Sequence, residues 1–386
     1  MEDFTYRCGT KIIFGKGAES QAGKECRGFG KVLLHYGMGS IKKSGLYDKV
    51  VESLKKEGVE FLELHGVVPN PKLKLVREGI ELCRKEDIGL ILAVGGGSVI
   101  DSAKAIAAGA LYDGDVWDFF SKTLAVKKAL PVGAVLTIAA AGSEASTASV
   151  ITDEAESRKL HASGDVLRPV FSILNPELTF TLPAYQTACG IADMLAHVIE
   201  RYFSPSESVD LTDRMCEGVM RSIVRNARLV MKEPGNYDYR AEIMLAGTIA
   251  HNGVLGTGRV EDWASHMIEH ELSAFYDVAH GAGLAVVLPA WMEHVSKKKP
   301  GQFVKFARNV WGFSGSDRDA VQAGIKSLKD FFMELGLPAT LKGIGIGKEK
   351  IGEMAGRCTE NGPLGNFVKL GRKDVSEILE LALENG

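Results

Sequence analysis

The sequence lacks the features that mark several special classes of protein. No run of about eighteen apolar residues occurs, and the richest apolar segment, 281–291, is too short to span a bilayer. The amino terminus has neither the basic start nor the apolar core of a secretion signal. The net charge is −3 with no long run of one sign, which argues against a nucleic-acid surface. These absences predict a cytoplasmic protein that binds neither membrane nor nucleic acid.

Cysteine is also scarce. The 386 residues include six cysteines and no CxxC pair, which is typical of reduced, buried thiols. Cys189 lies four residues before Asp193 and is a possible metal ligand, although core packing is the simpler explanation for it.

With 45% hydrophobic and 25% charged residues, the chain has the composition of an ordinary globular protein of about two domains.

The first half of the chain alternates β-rich and helical patterns. Amphipathic helices are predicted at 46–58, 75–87 and 99–111. The strands between and around them are predicted at 31–37, 59–66, 90–96, 131–137 and 169–174. Continuous apolar strands that alternate with helices predict a parallel sheet covered on both faces, as in Rossmann-like α/β nucleotide-binding domains.

The pattern changes after 175–183. Few β-branched runs follow, and most of the remaining chain has the apolar spacing of amphipathic helices. We therefore place a boundary near Leu182. The prediction is an α/β dinucleotide-binding domain at 1–181 and an all-helical domain, with the metal and substrate sites, at 182–386.

A glycine turn connects one predicted strand to a helix. The strand ends in Gly95, Gly96, Gly97 and Ser98, and the helix follows at once. Backbone N–H groups in such a turn approach a phosphate closely, and the helix dipole favours its negative charge. The turn matches neither the GxGxxG fingerprint nor a P-loop, and a tight connection without a ligand is the alternative.

Two further turns suggest a dinucleotide. The turn at 37–40 follows the first predicted strand, which ends without the acidic residue that usually binds an NAD ribose. Ser40, Lys42 and Lys43 leave room for a 2′-phosphate and favour NADP(H) over NAD(H), unless both lysines simply face solvent. The third turn, from Thr137 to Glu144, carries hydroxyl groups that bind a pyrophosphate or ribose, or only cap the next helix.

The second half of the chain contains pairs of potential metal ligands at helical spacing. Asp193 and His197 are four residues apart, as are His266 and His270, so each pair lies on one helix face. His280 follows nearby, before a glycine. A carboxylate with several imidazoles suits a divalent iron or zinc ion.

Spacing alone does not choose four ligands among these five candidates. Glu200 is seven residues from Asp193 on the same face, and is either a sixth candidate or a hydrogen-bond partner of an imidazole. His161, His251 and His294 have no partner at ligand spacing and are interpreted as core residues.

Several separated motifs together resemble a known family. They are, in order, FTYRCGTKIIFGKGA, YGMGSIKKSGLYDKV, VVPNP, GGGSVIDSAK, LTIAAAGSEAS, the DxxxH helix and HxxxHxxxxxxxxxHG. Over nearly the whole chain the sequence resembles the iron-containing (group III) alcohol dehydrogenases, within the butanol dehydrogenase and NADPH-dependent aldehyde reductase branch. The resemblance implies the dehydroquinate-synthase-like architecture of that family.

The resemblance also implies roles for individual residues. His270 matches a non-ligand histidine near the substrate, which we expect to take part in proton transfer. The metal ligands would be Asp193, His197, His266 and His280. The nucleotide contacts would be Gly37, Gly39, Ser40, Asn70, Gly96, Gly97, Ser98, Asp101, Thr137 and Lys159. Met38 and Ala141 depart from the family pattern, and both bear on the choice of cofactor.

The implied activity is a metal-dependent, NAD(P)(H)-dependent interconversion of short-chain primary alcohols, such as butanol, and aldehydes. Fe²⁺ or Zn²⁺ would be the metal, and a homodimer is expected. Two alternatives stay open. One is a glycerol dehydrogenase, lyase or synthase on the related fold, and the other is a nucleotide- and metal-binding protein without turnover.

Overall fold

The computed structural model describes residues 1–384, which form two compact units. One unit consists of 7–182 and 235–244, and the other of 1–6, 183–234 and the chain from Leu245 onward. This division places 1–6 in the helical unit and 235–244 in the α/β unit, whereas a single boundary near Leu182 would place each in the other unit. The domain limits 1–181 and 182–386 therefore stay a prediction.

The α/β unit is built around a six-stranded sheet. Its strand order is β1-β8-β5-β4-β2-β3, and all five pairings are parallel. The parallel sheet expected from the sequence is thus confirmed. The strands of the sheet are β1 (Lys11–Phe14), β2 (Lys31–Gly37), β3 (Phe61–Val67), β4 (Ile88–Gly95), β5 (Val132–Leu136) and β8 (Phe171–Leu174).

Apolar side chains pack against both faces of this sheet. In β4, Ile91 and Ala93 join one buried cluster, while Leu92 and Val94 join the other. This is why the strand has a continuous apolar sequence rather than an alternating one. The helices of the unit are α1 (Ala22–Cys26), α2 (Ser40–Lys43), α3 (Leu46–Lys56), α4 (Leu73–Lys85), α5 (Gly97–Ala110) and α6 (Asp118–Ser121).

A separate antiparallel hairpin was not predicted. It consists of β6 (Ala148–Asp153) and β7 (Arg158–Ser163). The exposed positions of β7 are polar, so this strand has no continuous apolar run. The hairpin lies against α5, which begins at the glycine turn.

The other unit is helical, as the sequence predicted. Helices α7 and α11 are buried along most of their length, which makes them its central elements. Helix α9 (Tyr237–His251) begins in the segment 235–244, which belongs to the α/β unit, and ends in the helical unit. The remaining bounds are α7 (Ala184–Tyr202), α8 (Asp210–Lys232), α10 (Ala264–Tyr276), α11 (His280–Ser296), α12 (Gly301–Trp311), α13 (Asp317–Glu334), α14 (Ile351–Cys358) and α15 (Arg372–Glu384). Within residues 1–384, no helix combines the length and apolar composition that a membrane span requires.

Candidate active site

Three helices of the helical unit carry the predicted metal ligands. Asp193 and His197 lie on α7 and are buried, as is His266 on α10. Trp263 and Asp277 flank α10 in left-handed backbone conformations, with φ of 68° and 50°. The second of these turns lets α11 begin directly at His280.

The three imidazoles converge on one carboxylate oxygen of Asp193. Oδ1 of Asp193 lies 3.3 Å from Nε2 of His197, 3.9 Å from Nε2 of His266 and 3.8 Å from Nε2 of His280. Ligand atoms of Asp193, His266 and His280 all lie within 4.8 Å of one another. Oδ1 of Asp193 and Nε2 of His266 are buried and have no hydrogen-bond partner among the described residues. Such atoms are costly to bury unless a cation binds them, so this donor set fits a divalent metal.

In each imidazole Nε2 faces Asp193, and the other ring nitrogen, Nδ1, is called the outer nitrogen. Each outer nitrogen contacts a second residue. Nδ1 of His266 lies 2.7 Å from Oε2 of Glu200, and Nδ1 of His280 contacts Oε2 of Glu269. Nδ1 of His197 lies 2.9 Å from Nδ1 of His251. Contacts of this kind fix the orientation of metal-binding imidazoles.

Two of these outer residues were not identified from the sequence. Glu269 is three residues from His266 on the same helix, so its helical spacing is a signal that could have found it. His251 was interpreted as a residue with no partner at ligand spacing, and in the structure it contacts His197 without belonging to the proposed ligand set. His251 lies at the end of α9, and no residue spacing in the sequence predicts its contact with His197.

The carboxylates give the site a negative potential. Burial acts to raise the pKa of Asp193, but His197, His266 and His280 lower it well below its usual value. Burial acts to lower the pKa of His266, but Glu200 and Asp193 raise it to about 9. Burial and the charge of His266 lower the pKa of His197 to about 4, so that imidazole is neutral near pH 7 and has a lone pair for a cation.

His270 lies beside this cluster. It is buried, and its ring centroid is 5.7 Å from that of His280. Donor atoms of Glu269, His270 and His280 also lie within 4.8 Å of one another. Because Glu269 binds the outer nitrogen of His280 and accepts a hydrogen bond from Ser273, we interpret it as a support for His280.

In the α/β unit, the three glycine-containing or hydroxyl-containing turns follow neighbouring strands. β2 ends at Gly37, β4 ends at Gly95, and Thr137 directly follows β5. Because these strands are adjacent and parallel, their turns lie along one edge of the sheet, where ligands bind in open α/β folds. Gly39 has a φ of 126°, a conformation that side chains rarely allow.

The turn before α5 is closely packed. Gly96 caps the helix and Gly97 begins it. A Cβ atom on Gly95 would lie 2.4 Å from Cγ2 of Val99, so a side chain does not fit there. Ser98 is half-buried in the first turn of the helix. Backbone N–H groups at this terminus are suited to bind phosphate.

The other residues predicted to contact the nucleotide differ in their burial and in their hydrogen bonds. Both carboxylate oxygens of Asp101 are engaged within the unit, by the hydroxyl of Ser143 and by the backbone N–H of Val150. Asn70 is buried in a left-handed conformation after β3, and Lys159 is buried in β7. Ser40 is exposed at the start of α2.

Lys104 was not assigned a role from the sequence. Its Nζ lies 2.7–3.1 Å from five oxygens of Ser143, Ser146 and Ala148 and shares its three hydrogens among them. This buried lysine holds the third turn against α5. Its position, three residues after Asp101 in a helical pattern, gave no sign of that contact.

Comparison with known proteins agrees with this arrangement. The family model for iron-containing alcohol dehydrogenases matches residues 9–176, and the model for the C-terminal part of that family matches residues 187–383. A probable NADH-dependent butanol dehydrogenase 2 of Bacillus subtilis is 47% identical over 99% of this chain and 100% of its own. The NADPH-dependent aldehyde reductase YqhD of Escherichia coli is 36% identical over 94% of both chains. The crystal structure of NADH-dependent butanol dehydrogenase A from Thermotoga maritima, 44% identical, superposes with a TM-score of 0.97 over 100% of this chain and 99% of that one.

Proposed function

The chain belongs to the iron-containing alcohol dehydrogenase family, and we propose that it reduces short-chain aldehydes to primary alcohols, and the reverse, with a nicotinamide cofactor and a divalent metal. Butanal and butanol are the proposed substrates, because the relatives of 47% and 44% identity are named butanol dehydrogenases. The observation that carries the proposal is the convergence of three imidazole Nε2 atoms on Oδ1 of Asp193.

We propose Asp193, His197, His266 and His280 as the ligands of Fe²⁺ or Zn²⁺. One buried oxygen and one buried nitrogen of this set lack other partners, and the outer nitrogens of the imidazoles are already engaged. A bound divalent cation supplies Lewis-acid polarisation of a carbonyl group. The side chains around it hold the donor atoms in place and keep the site largely buried.

His270 and Trp263 are proposed to act beside the metal ligands. The imidazole of His270 is a group able to deliver a proton to the oxygen of the alcohol product, because its ring centroid lies 5.7 Å from that of His280, a proposed ligand. The Trp263 ring centroid lies 5.5 Å from that of His197 and 5.1 Å from that of His266. Its indole limits the access of water to those imidazoles.

We propose that the turns at the sheet edge hold the nucleotide, which supplies the hydride. The N–H groups of Gly96, Gly97 and Ser98 would bind the pyrophosphate, and Gly37, Gly39 and Ser40 the adenosine ribose. Asn70 and Thr137 belong to turns after neighbouring strands and would complete the site. Asp101 acts through Ser143, and Lys159 is proposed to contact the nucleotide directly.

The preference for NADP(H) predicted from Ser40, Lys42 and Lys43 is not confirmed. Relatives named NADH-dependent are 47%, 43% and 40% identical, whereas the named NADPH-dependent aldehyde reductase is 36% identical. In the structure, Nζ of Lys42 lies 3.8 Å from Oε2 of Glu63. That carboxylate offsets the positive charge a 2′-phosphate would use, so we propose NADH as the better cofactor.

Turnover with butanal tests the proposal. Metal-loaded protein is mixed with NADH and butanal, and the loss of NADH is compared with the butanol formed. We expect equimolar amounts. A lyase, a synthase or a protein that only binds nucleotide and metal would show no such loss, and this result with all short aldehydes would refute the proposal. The homodimer and the cytoplasmic location stay predictions.

A further inference from the structure

His197 differs from the other two imidazoles in the nature of its outer partner. His266 and His280 each face a glutamate, and a carboxylate accepts a hydrogen bond, so the hydrogen lies on Nδ1 of each ring. His197 faces the imidazole of His251, whose Nδ1 is 2.9 Å away. A neutral imidazole nitrogen is either a donor or an acceptor, so a further group must decide which ring carries the hydrogen.

Arg201 determines which of the two rings carries the hydrogen. Its Nη2 lies 3.3 Å from the same Nδ1 of His251. A guanidinium group only donates, so Nδ1 of His251 carries a lone pair and its hydrogen is on Nε2. In the contact between the two rings, His197 must then donate from Nδ1. The lone pair of His197 is consequently on Nε2, the atom 3.3 Å from Oδ1 of Asp193.

Arg201 is itself firmly held. Its Nη1 donates to the backbone oxygen of His197 at 2.7 Å, and its Nε lies 3.0 Å from Oε1 of Glu261. The guanidinium carbon is 4.7 Å from the centroid of the Trp263 ring. Only 3% of the residue is exposed, so the guanidinium has little freedom to move away from His251.

We infer that Arg201 and His251 are positioning residues that hold His197 in the tautomer whose Nε2 binds the metal. The inference rests on the proposed metal centre and extends it to two residues outside the ligand set. Loss of the acceptor on His251 would leave Nδ1 of His197 without a partner and free its ring to turn or change tautomer. Partners of this kind typically change metal affinity about 10- to 100-fold.

Cobalt binding tests the inference without any measurement of turnover. The metal-free protein is titrated with Co²⁺ against a chelator, and the visible ligand-field spectrum of the bound ion is recorded. We expect His251→Leu to weaken Co²⁺ binding about 10- to 100-fold and to alter the spectrum. In His251→Asn, the side-chain oxygen stands where Nδ1 was and accepts from the same donors, so we expect affinity within about threefold of wild type.

Two controls separate the possible outcomes. His294→Leu removes a buried histidine whose partners are Asp374 and Glu377, and we expect it to bind Co²⁺ as the wild type does. Asp193→Asn should lose binding; if it does not, the proposed metal centre is refuted and the inference with it. If Asp193→Asn loses Co²⁺ but His251→Leu binds it normally, the metal centre stands and the role of His251 is refuted. Equal losses in His251→Asn and His251→Leu would also refute that role.

Discussion

The carboxylate of Glu200 joins the start of α10 to the imidazole of His266, a proposed metal ligand on the same helix. Its Oε1 accepts from the backbone N–H groups of Ser265, at 2.6 Å, and His266, at 3.2 Å, while Oε2 lies 2.7 Å from Nδ1 of His266. Glu200 itself lies on α7, which also carries Asp193 and His197. One buried side chain therefore fixes both the helix end and the ring that it carries.

Replacing Glu200 tests this double role. Glu200→Gln keeps the size of the side chain but cannot present two accepting oxygens, so we expect metal affinity to fall about tenfold. Competition with a chelator measures the change. Glu217→Gln is the matched control, since Glu217 is also buried but accepts from Tyr202 and Asn309 instead. Equal metal affinity in Glu200→Gln and the control would show that Glu200 does not support the site.

His270→Ala tests the proposed proton transfer. Because His270 is not one of the four proposed ligands, we expect the variant to retain its metal. We expect turnover to fall about 100-fold and the pH dependence of kcat to change, as is typical when a general acid is removed. Metal analysis and a pH series with butanal and NADH measure both effects. Unchanged kinetics would remove His270 from the proton path.

Glu63→Gln tests the proposed basis of cofactor preference. Burial acts to raise the pKa of Glu63, but hydrogen bonds from Tyr36 and Tyr47 and the charge of Lys42 lower it, so the side chain is a carboxylate. Removing that charge should raise the ratio of kcat/KM for NADPH over NADH about fivefold, a modest effect because the pair is partly exposed.

Glu60→Gln is the control for that comparison. Glu60 is exposed just before β3, so its replacement removes the same charge from a different place. We expect it to leave the cofactor ratio unchanged. An equal ratio in the Glu63 and Glu60 variants would show that the effect comes from net charge alone.

The lowered pKa of Asp374 predicts that the stability of the protein depends on pH. Burial acts to raise its pKa, but Lys298, His294 and the N–H of Gly371 lower it to about 2, below the ~3.9 of an unfolded aspartate. Its contribution is therefore complete above about pH 4 and is lost as the pH falls towards 2. Allowing for solvent screening, we expect Asp374→Asn to reduce the free energy of unfolding by about 1 kcal/mol near neutral pH.

Urea unfolding midpoints across the pH range measure this effect. The difference between wild type and Asp374→Asn should be constant from about pH 7 to 5 and shrink below about pH 4. Asp330→Asn, at an exposed pair with Lys326, should change the midpoint little at any pH. A difference that persists unchanged at about pH 3 would contradict the assignment.

Elements with a strong apolar pattern were predicted from the sequence, and elements without one were not. Five predicted runs correspond to β2, β3, β4, β5 and β8. Strands β2, β4, β5 and β8 are buried along most of their length and contain little but apolar residues, whereas the edge strand β3 is only partly buried and includes Glu63 and His65. β1 has four residues and exposed ends, and β6 and β7 alternate with polar residues, so none produced a clear pattern.

The same distinction holds within the site. The DxxxH and HxxxH pairs are local, and helical geometry alone places each pair on one face. The contacts of His251 with His197 and of Lys104 with the turn at 143–148 join residues 39 to 54 positions apart. Such contacts depend on tertiary packing, which the spacing of residues along the chain does not encode.

Metal removal and restoration test the central claim most directly. The wild-type protein is stripped with a chelator, Fe²⁺ or Zn²⁺ is added back in measured amounts, and NADH consumption with butanal is followed beside the binding of NADH itself. We predict that turnover disappears on stripping and returns in proportion to the metal bound, that NADH binding persists throughout, and that His266→Ala is not restored. Full turnover in stripped wild type or in His266→Ala would contradict the account.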